Sequence, residues 1–106
     1  MAFIIKQNDT SPAIQATLKD ANGSAINLNG SVVNIHMKSV NGVLKVSEEM
    51  TIVDADTGVV KYDWVTGDTD TVGTYYVEFQ VTYADLTIET FPNDDKAVIL
   101  IKPELA

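Results

Sequence analysis

From Tyr75 to Tyr83 the chain reads Tyr-Tyr-Val-Glu-Phe-Gln-Val-Thr-Tyr, so that Tyr75, Val77, Phe79, Val81 and Tyr83 form one set and Tyr76, Glu78, Gln80 and Thr82 the other. Strict alternation of this kind suits a pleated strand with one buried face and is incompatible with a helical stripe. The same period recurs in Ala13–Lys19, with Ile14, Ala16 and Leu18 inward, and in Ser31–Lys38, with Val33, Ile35 and Met37 inward. Shorter stretches extend the set: Phe3–Lys6, Val43–Val46 after the Asn41-Gly42 turn, Val59–Trp64, Thr87–Phe91 and Ala97–Lys102. Turn chemistry separates them at Asp20-Ala21-Asn22-Gly23, Asn29-Gly30, Asp54 to Gly58, Gly67 to Gly73 and Asn93-Asp94-Asp95. Only Ser47-Glu48-Glu49-Met50 is compatible with a single helical turn.

Thirteen Val, nine Ile and eleven Thr among 106 residues reinforce the strand reading. The expected fold is all-β, an immunoglobulin-like antiparallel β-sandwich of about 7–9 short strands. No repeat, linker or low-complexity segment divides the chain, and residues 1–106 read as one domain. A chain of this size buries about two-thirds of its unfolded surface, enough for a core without covalent staples.

Charge narrows the function classes. Fifteen acidic residues face seven lysines and no arginine, a net charge of −8. Such a chain repels phosphate backbones and anionic lipid, so neither nucleic acid nor membrane is an expected partner. Without cysteine it has no disulfide scaffold, thiol nucleophile or cysteine metal site. No apolar run approaches the about 20 residues of a membrane helix. Met1 to Lys6 lacks the basic and apolar regions of a signal peptide, which points to synthesis in a cytoplasm.

Motifs that suggest chemistry are better explained by structure. Asp56-Thr57-Gly58 matches the aspartic-protease tripeptide, but it follows Asp54-Ala55 instead of an apolar strand and reads as a turn. The pairs Asp54/Asp56, Asp68/Asp70 and Asp94/Asp95 invite calcium, yet their loops lack the ligand spacing of a cation loop and suit turn capping. His36, the one histidine, falls on an outward strand face with no second histidine to share a metal. Tyr62, Trp64, Tyr75 and Tyr83 read mainly as core aromatics, whereas Tyr76 points to the opposite face. No acid–base pair, phosphate loop or nucleophile elbow is present, and neither catalysis nor a cofactor is expected.

A series of short pieces has a familiar order: Asn8-Asp9-Thr10-Ser11-Pro12, then Leu18 to Gly23 leading to Ile26, Leu28 and Gly30. Next come Asp56 to Trp64, Asp68-Thr69, Gly73 to Phe79 and Thr90-Phe91-Pro92-Asn93. In this order and spacing the chain resembles the N-terminal domain of bacteriophage baseplate upper proteins, the Ig-like module of tailed phages of Gram-positive hosts. It departs from that pattern at Asn8, where glycine is frequent, and at Asp85-Leu86, which replaces an Asp-Gly turn. Physical chemistry explains several of the pieces. Asn22-Gly23 supplies a tight turn, Trp64 a core anchor, and Tyr75 a hydroxyl able to bond back to its loop as in a tyrosine corner.

The resemblance implies a virion structural protein of the tail or baseplate that docks onto a hub or neighbouring copies. Multiple copies or a homo-oligomer are expected in the particle. Candidate partner contacts are the N-terminal arm, Phe3, Ile4, Ile5 and Lys6, together with Tyr76. No coiled coil or receptor-binding segment follows before Ala106, so the expected form is a free-standing module or a piece of a longer protein. The alternatives are a glycan-binding or adhesive module at the host surface and a capsid decoration protein. The acidity reads as solubility and as a preference for neutral or basic partner surfaces at the docking loops.

Overall fold

The computed structural model describes residues 2–92 and 97–105. Nine strands run in chain order: β1 (Ala2–Lys6), β2 (Ile14–Thr17), β3 (Val32–Ser39), β4 (Leu44–Glu49), β5 (Thr51–Asp54), β6 (Val59–Tyr62), β7 (Gly73–Thr82), β8 (Ile88–Phe91) and β9 (Ala97–Lys102). They form a six-stranded sheet ordered β1-β9-β7-β3-β4, with β8 also paired to β7, and a three-stranded sheet ordered β2-β6-β5. No helix occurs among the described residues. The architecture is an all-β sandwich of immunoglobulin type.

The alternating apolar sets meet between the sheets. Val33, Ile35, Met37, Val77, Phe79, Val81, Ile99 and Ile101 of the larger sheet join Ile14, Ala16, Val60 and Tyr62 of the smaller in one buried cluster. Trp64, just past β6, is 4% exposed and stacks edge-on to Tyr62 at 5.5 Å between ring centroids. It is the core anchor expected of it.

Three features depart from the sequence reading. The sandwich is not wholly antiparallel: β1 pairs with β9 in parallel, Ile4 beside Leu100 and Lys6 beside Lys102. Ser47-Glu48-Glu49 is strand, not a helical turn, because cross-strand pairing with β3 outweighs the weak local preference. At its end Met50 is buried and donates its N–H to the Val33 carbonyl at 2.7 Å, where the chain passes to the other sheet. It continues there as β5, a strand absent from the expected set, though Thr51-Ile52-Val53 is a β-branched run.

Two register shifts re-aim side chains. Between β3 and β4 the partners step from Met37/Val46 to Lys38/Leu44, which leaves Lys45 as the extra residue. Its ammonium then reaches the Asp70 carboxylate in the loop before β7. Between β5 and β6 the corresponding extra residue is Val53.

Candidate interaction edge

The five residues proposed as contacts divide by strand geometry. Outward-facing positions on β1 are Ala2, Ile4 and Lys6, with Ile4 57% exposed. Phe3 is half-buried and tilts against Trp64 at 6.1 Å, and Ile5 is 3% exposed within the core. Both turn inward because alternation sends every second residue of β1 under the sheet. Tyr76 stands on the outer face of β7, 37% exposed, opposite Lys38 on β3 and Val98 on β9. One outer face therefore carries both Ile4 and Tyr76, linked by Leu100 and Val98. Lys6 and Lys102 stand side by side at its end.

Several of the short pieces that carry the family resemblance, among them Asn8-Asp9, Pro12, Trp64 and Asp68-Thr69, meet where the chain leaves β1. Trp64 donates its indole N–H to the Pro12 carbonyl at 3.1 Å, tying the segment after β1 to the end of β6. Buried Thr69 donates to the Asp9 carbonyl at 2.8 Å, and Asn8 N–H donates to the Thr69 carbonyl at 3.0 Å. Gln7 adds a side-chain donation to the Asp70 carbonyl at 2.9 Å. Asp68 holds this loop from below, accepting from Tyr62 Oη at 2.6 Å and from Val65 N–H at 3.0 Å. Tyr75 Oη donates to the Thr71 carbonyl at 2.6 Å, the expected tyrosine corner. These residues fix the backbone that leaves β1 and so brace the strand itself.

The aspartates act within turns. Asp20 accepts from the N–H groups of Asn22 and Ser24, Asp54 from Asp56 N–H, and Asp85 from the N–H and hydroxyl of Thr87. Asp56 accepts from Asn29 Nδ2. In Asp56-Thr57-Gly58 the glycine has φ +70° and its carbonyl accepts from Leu18 N–H at 2.8 Å, the geometry of a structural turn. The hydroxyl of Thr87 holds the Asp85 carboxyl below its ordinary range, and Lys45 does the same for Asp70. No group of three or more metal-ligating side chains occurs among the described residues. The Asp94-Asp95 pair lies outside them.

A shallow outer-face cavity of about 220 Å³ is lined by His36, Lys38, Tyr76 and Glu78 together with the β3–β4 turn. Register explains the grouping: Lys38 faces Tyr76 and His36 faces Glu78 across the β3–β7 ladder. His36 Nδ1 lies 3.0 Å from Ser47 Oγ. The sequence placed His36 and Glu78 outward but contained no sign that they would border Tyr76, because that depends on strand register.

No curated protein matches the sequence. The solved structure of CopC from Methylosinus trichosporium OB3b is similar in fold, with a TM-score of 0.55 at 16% identity over 97% of this chain and 85% of that one. Residues 3–91, from β1 to the end of β8, match the BppU N-terminal domain. The chain belongs to that family, the N-terminal domain of baseplate upper proteins, and so to the structural proteins of the phage tail baseplate.

Proposed function

We propose that this chain is a non-enzymatic baseplate module that docks onto other virion proteins in several copies, with β1 as the contact edge. Family membership over residues 3–91 carries the reading. Its mechanism is surface complementarity: a braced edge strand offers unpaired backbone groups, and the outward Ile4, Leu100 and Tyr76 supply apolar area. Residues 1–106 act as one domain, a view supported by the single buried cluster spanning both sheets. Synthesis takes place in the host cytoplasm before assembly. Mass spectrometry of purified particles tests the reading. The protein is expected in stoichiometric amounts in wild-type particles and in reduced amounts with Ile4→Asp, while its absence from wild-type particles overturns the proposal.

A second reading is favoured by one observation, the cavity where Tyr76 lies beside Glu78, Lys38 and His36. An aromatic ring next to a carboxylate and a cation suits a neutral sugar, which would make the module adhesive at the host surface. Titration with host cell-wall glycans, followed at these four residues by NMR, separates the readings. Shifts confined to the cavity support glycan binding, and flat titrations remove it.

A further inference from the structure

Among the described residues five strands have a free side: β1, β2, β4, β5 and β8. Four carry features that discourage pairing with another chain. β4 has Lys45, Glu48, Glu49 and an extra residue in its ladder. β5 has a similar irregularity and ends on Asp54. β8 includes Glu89 and runs into Pro92. β2 is four residues long, follows Pro12 closely and shows polar Gln15 and Thr17 outward. Short, charged, bulged or proline-flanked edges are the usual protection against unwanted association. β1 has no charge before Lys6, no proline and no irregularity in its pairing with β9, and it displays Ile4.

The end of that edge holds an anomaly. Lys6 and Lys102 are adjacent partners on the outer face, and like charges so placed repel. The protein has fifteen acidic residues against seven lysines, yet its ion pairs among the described residues are Lys45–Asp70 and Lys61–Asp63. Glu104, two residues past Lys102, accepts instead from Asn8 Nδ2 at 2.9 Å. Among the described residues these two neighbouring ammonium groups thus have no carboxylate partner, beside the least protected strand.

We infer that β1 receives an extended segment of a neighbouring virion protein, with an apolar side chain beside Ile4 and a carboxylate beside the Lys6–Lys102 pair. This rests on the docking reading above and deepens it by naming the partner's chemistry. An added strand continues two rows of the ladder, Leu100–Ile4 and Lys102–Lys6, so its apolar and acidic residues stand two positions apart on one face. The chain's net charge of −8 favours neutral or basic partners elsewhere. At this edge the preference is inverted.

The test titrates the isotope-labelled 106-residue chain with two end-capped octapeptides, two repeats of Val-Thr-Glu-Thr and two repeats of Val-Thr-Lys-Thr. The expected result is amide shifts in Ala2–Lys6 and Ala97–Lys102, with the acidic peptide binding about tenfold more tightly. Two opposite-charge contacts replaced by two like-charge contacts account for a factor of that order. The double variant Lys6→Glu/Lys102→Glu reverses the preference, and the milder Lys6→Gln/Lys102→Gln, which adds no charge beside Glu104, abolishes it. Equal binding of both peptides, shifts mapping to another strand, or no binding of either overturns the inference. Concentration-dependent shifts in β1 without peptide also overturn it, because the occupant is then a second copy. If both peptides bind alike while the protein is present in particles, the docking reading stands and only this partner chemistry falls.

Discussion

Asn8 and Leu86 share a left-handed backbone conformation, with φ of 68° and 71°, that no other non-glycine residue among those described adopts. They are also the two positions at which the resemblance leads one to expect glycine. Asparagine visits this region at little cost, and Asn8 makes use of its side chain by donating to Glu104. Leucine has no such compensation, and Leu86 is 79% exposed. Leu86→Gly is therefore expected to stabilise the fold by about 0.5–1 kcal/mol, the relief of strain exceeding the added chain entropy of glycine. Urea midpoints at unchanged slope provide the measurement, and a loss of stability contradicts the account.

Gly58 is expected to be the least replaceable glycine. A Cβ there meets the Leu18 and Ile26 carbonyl oxygens at 2.7 and 2.9 Å, and φ is +70°. Gly58→Ala should destabilise by about 2–4 kcal/mol, combining left-handed strain with displacement of backbone. Gly23, with φ +82° but nothing within 4 Å, isolates the strain alone and should cost about 1–2 kcal/mol as alanine. Equal losses at the two sites in thermal melts would show that the carbonyl contacts do not matter.

Removing the corner hydroxyl with Tyr75→Phe leaves the ring in the core but frees the Thr71 carbonyl. A loss of about 1–2 kcal/mol is expected, together with faster amide exchange in residues 65–72. Unchanged exchange there would mean that the contacts of Asp68, Thr69 and Asp70 hold the loop without the Tyr75 hydroxyl.

Alkaline titration should resolve the phenols. Burial, and next the hydrogen bond to Glu89, push Tyr83 up to about 12, and burial with the Asp68 hydrogen bond raises Tyr62 further. The folded state thus favours the neutral phenol. That contribution to stability is complete below the ordinary tyrosine value near 10 and declines as pH rises towards 12. Phenolate absorbance should show a late component that Tyr83→Phe diminishes. A single transition near pH 10 in the folded protein would refute this.

Legibility from sequence followed the range of the forces involved. Alternation is local, and β3, β7 and β9 fall close to where Val33, Phe79 and Ile99 placed them. Turn chemistry is equally local, as Asp20, Asn22 and Gly23 show. The parallel partnership of β1 with β9 was not readable, because nothing near Phe3 specifies which of several apolar strands lies beside it. β5 escaped because Met50 carries the chain between sheets and breaks its alternation into two short pieces. At the candidate edge the same division holds: Tyr76 is legible as an outward residue, whereas the alternation within Phe3–Lys6 that exposes Ile4 and the pairing of Lys6 with Lys102 depend on register across the whole chain.

That parallel pairing also has a mechanical consequence. Ala2 lies beside Val98 and Lys6 beside Lys102, so the start of β1 and the end of β9 sit at opposite ends of the shared ladder. Tension between Ala2 and Lys102 pulls along the strands and loads every rung at once, where an antiparallel neighbour tethered from one end would be peeled rung by rung. The first resistance to stretching is consequently collective, and it resides in the same edge that we propose for assembly.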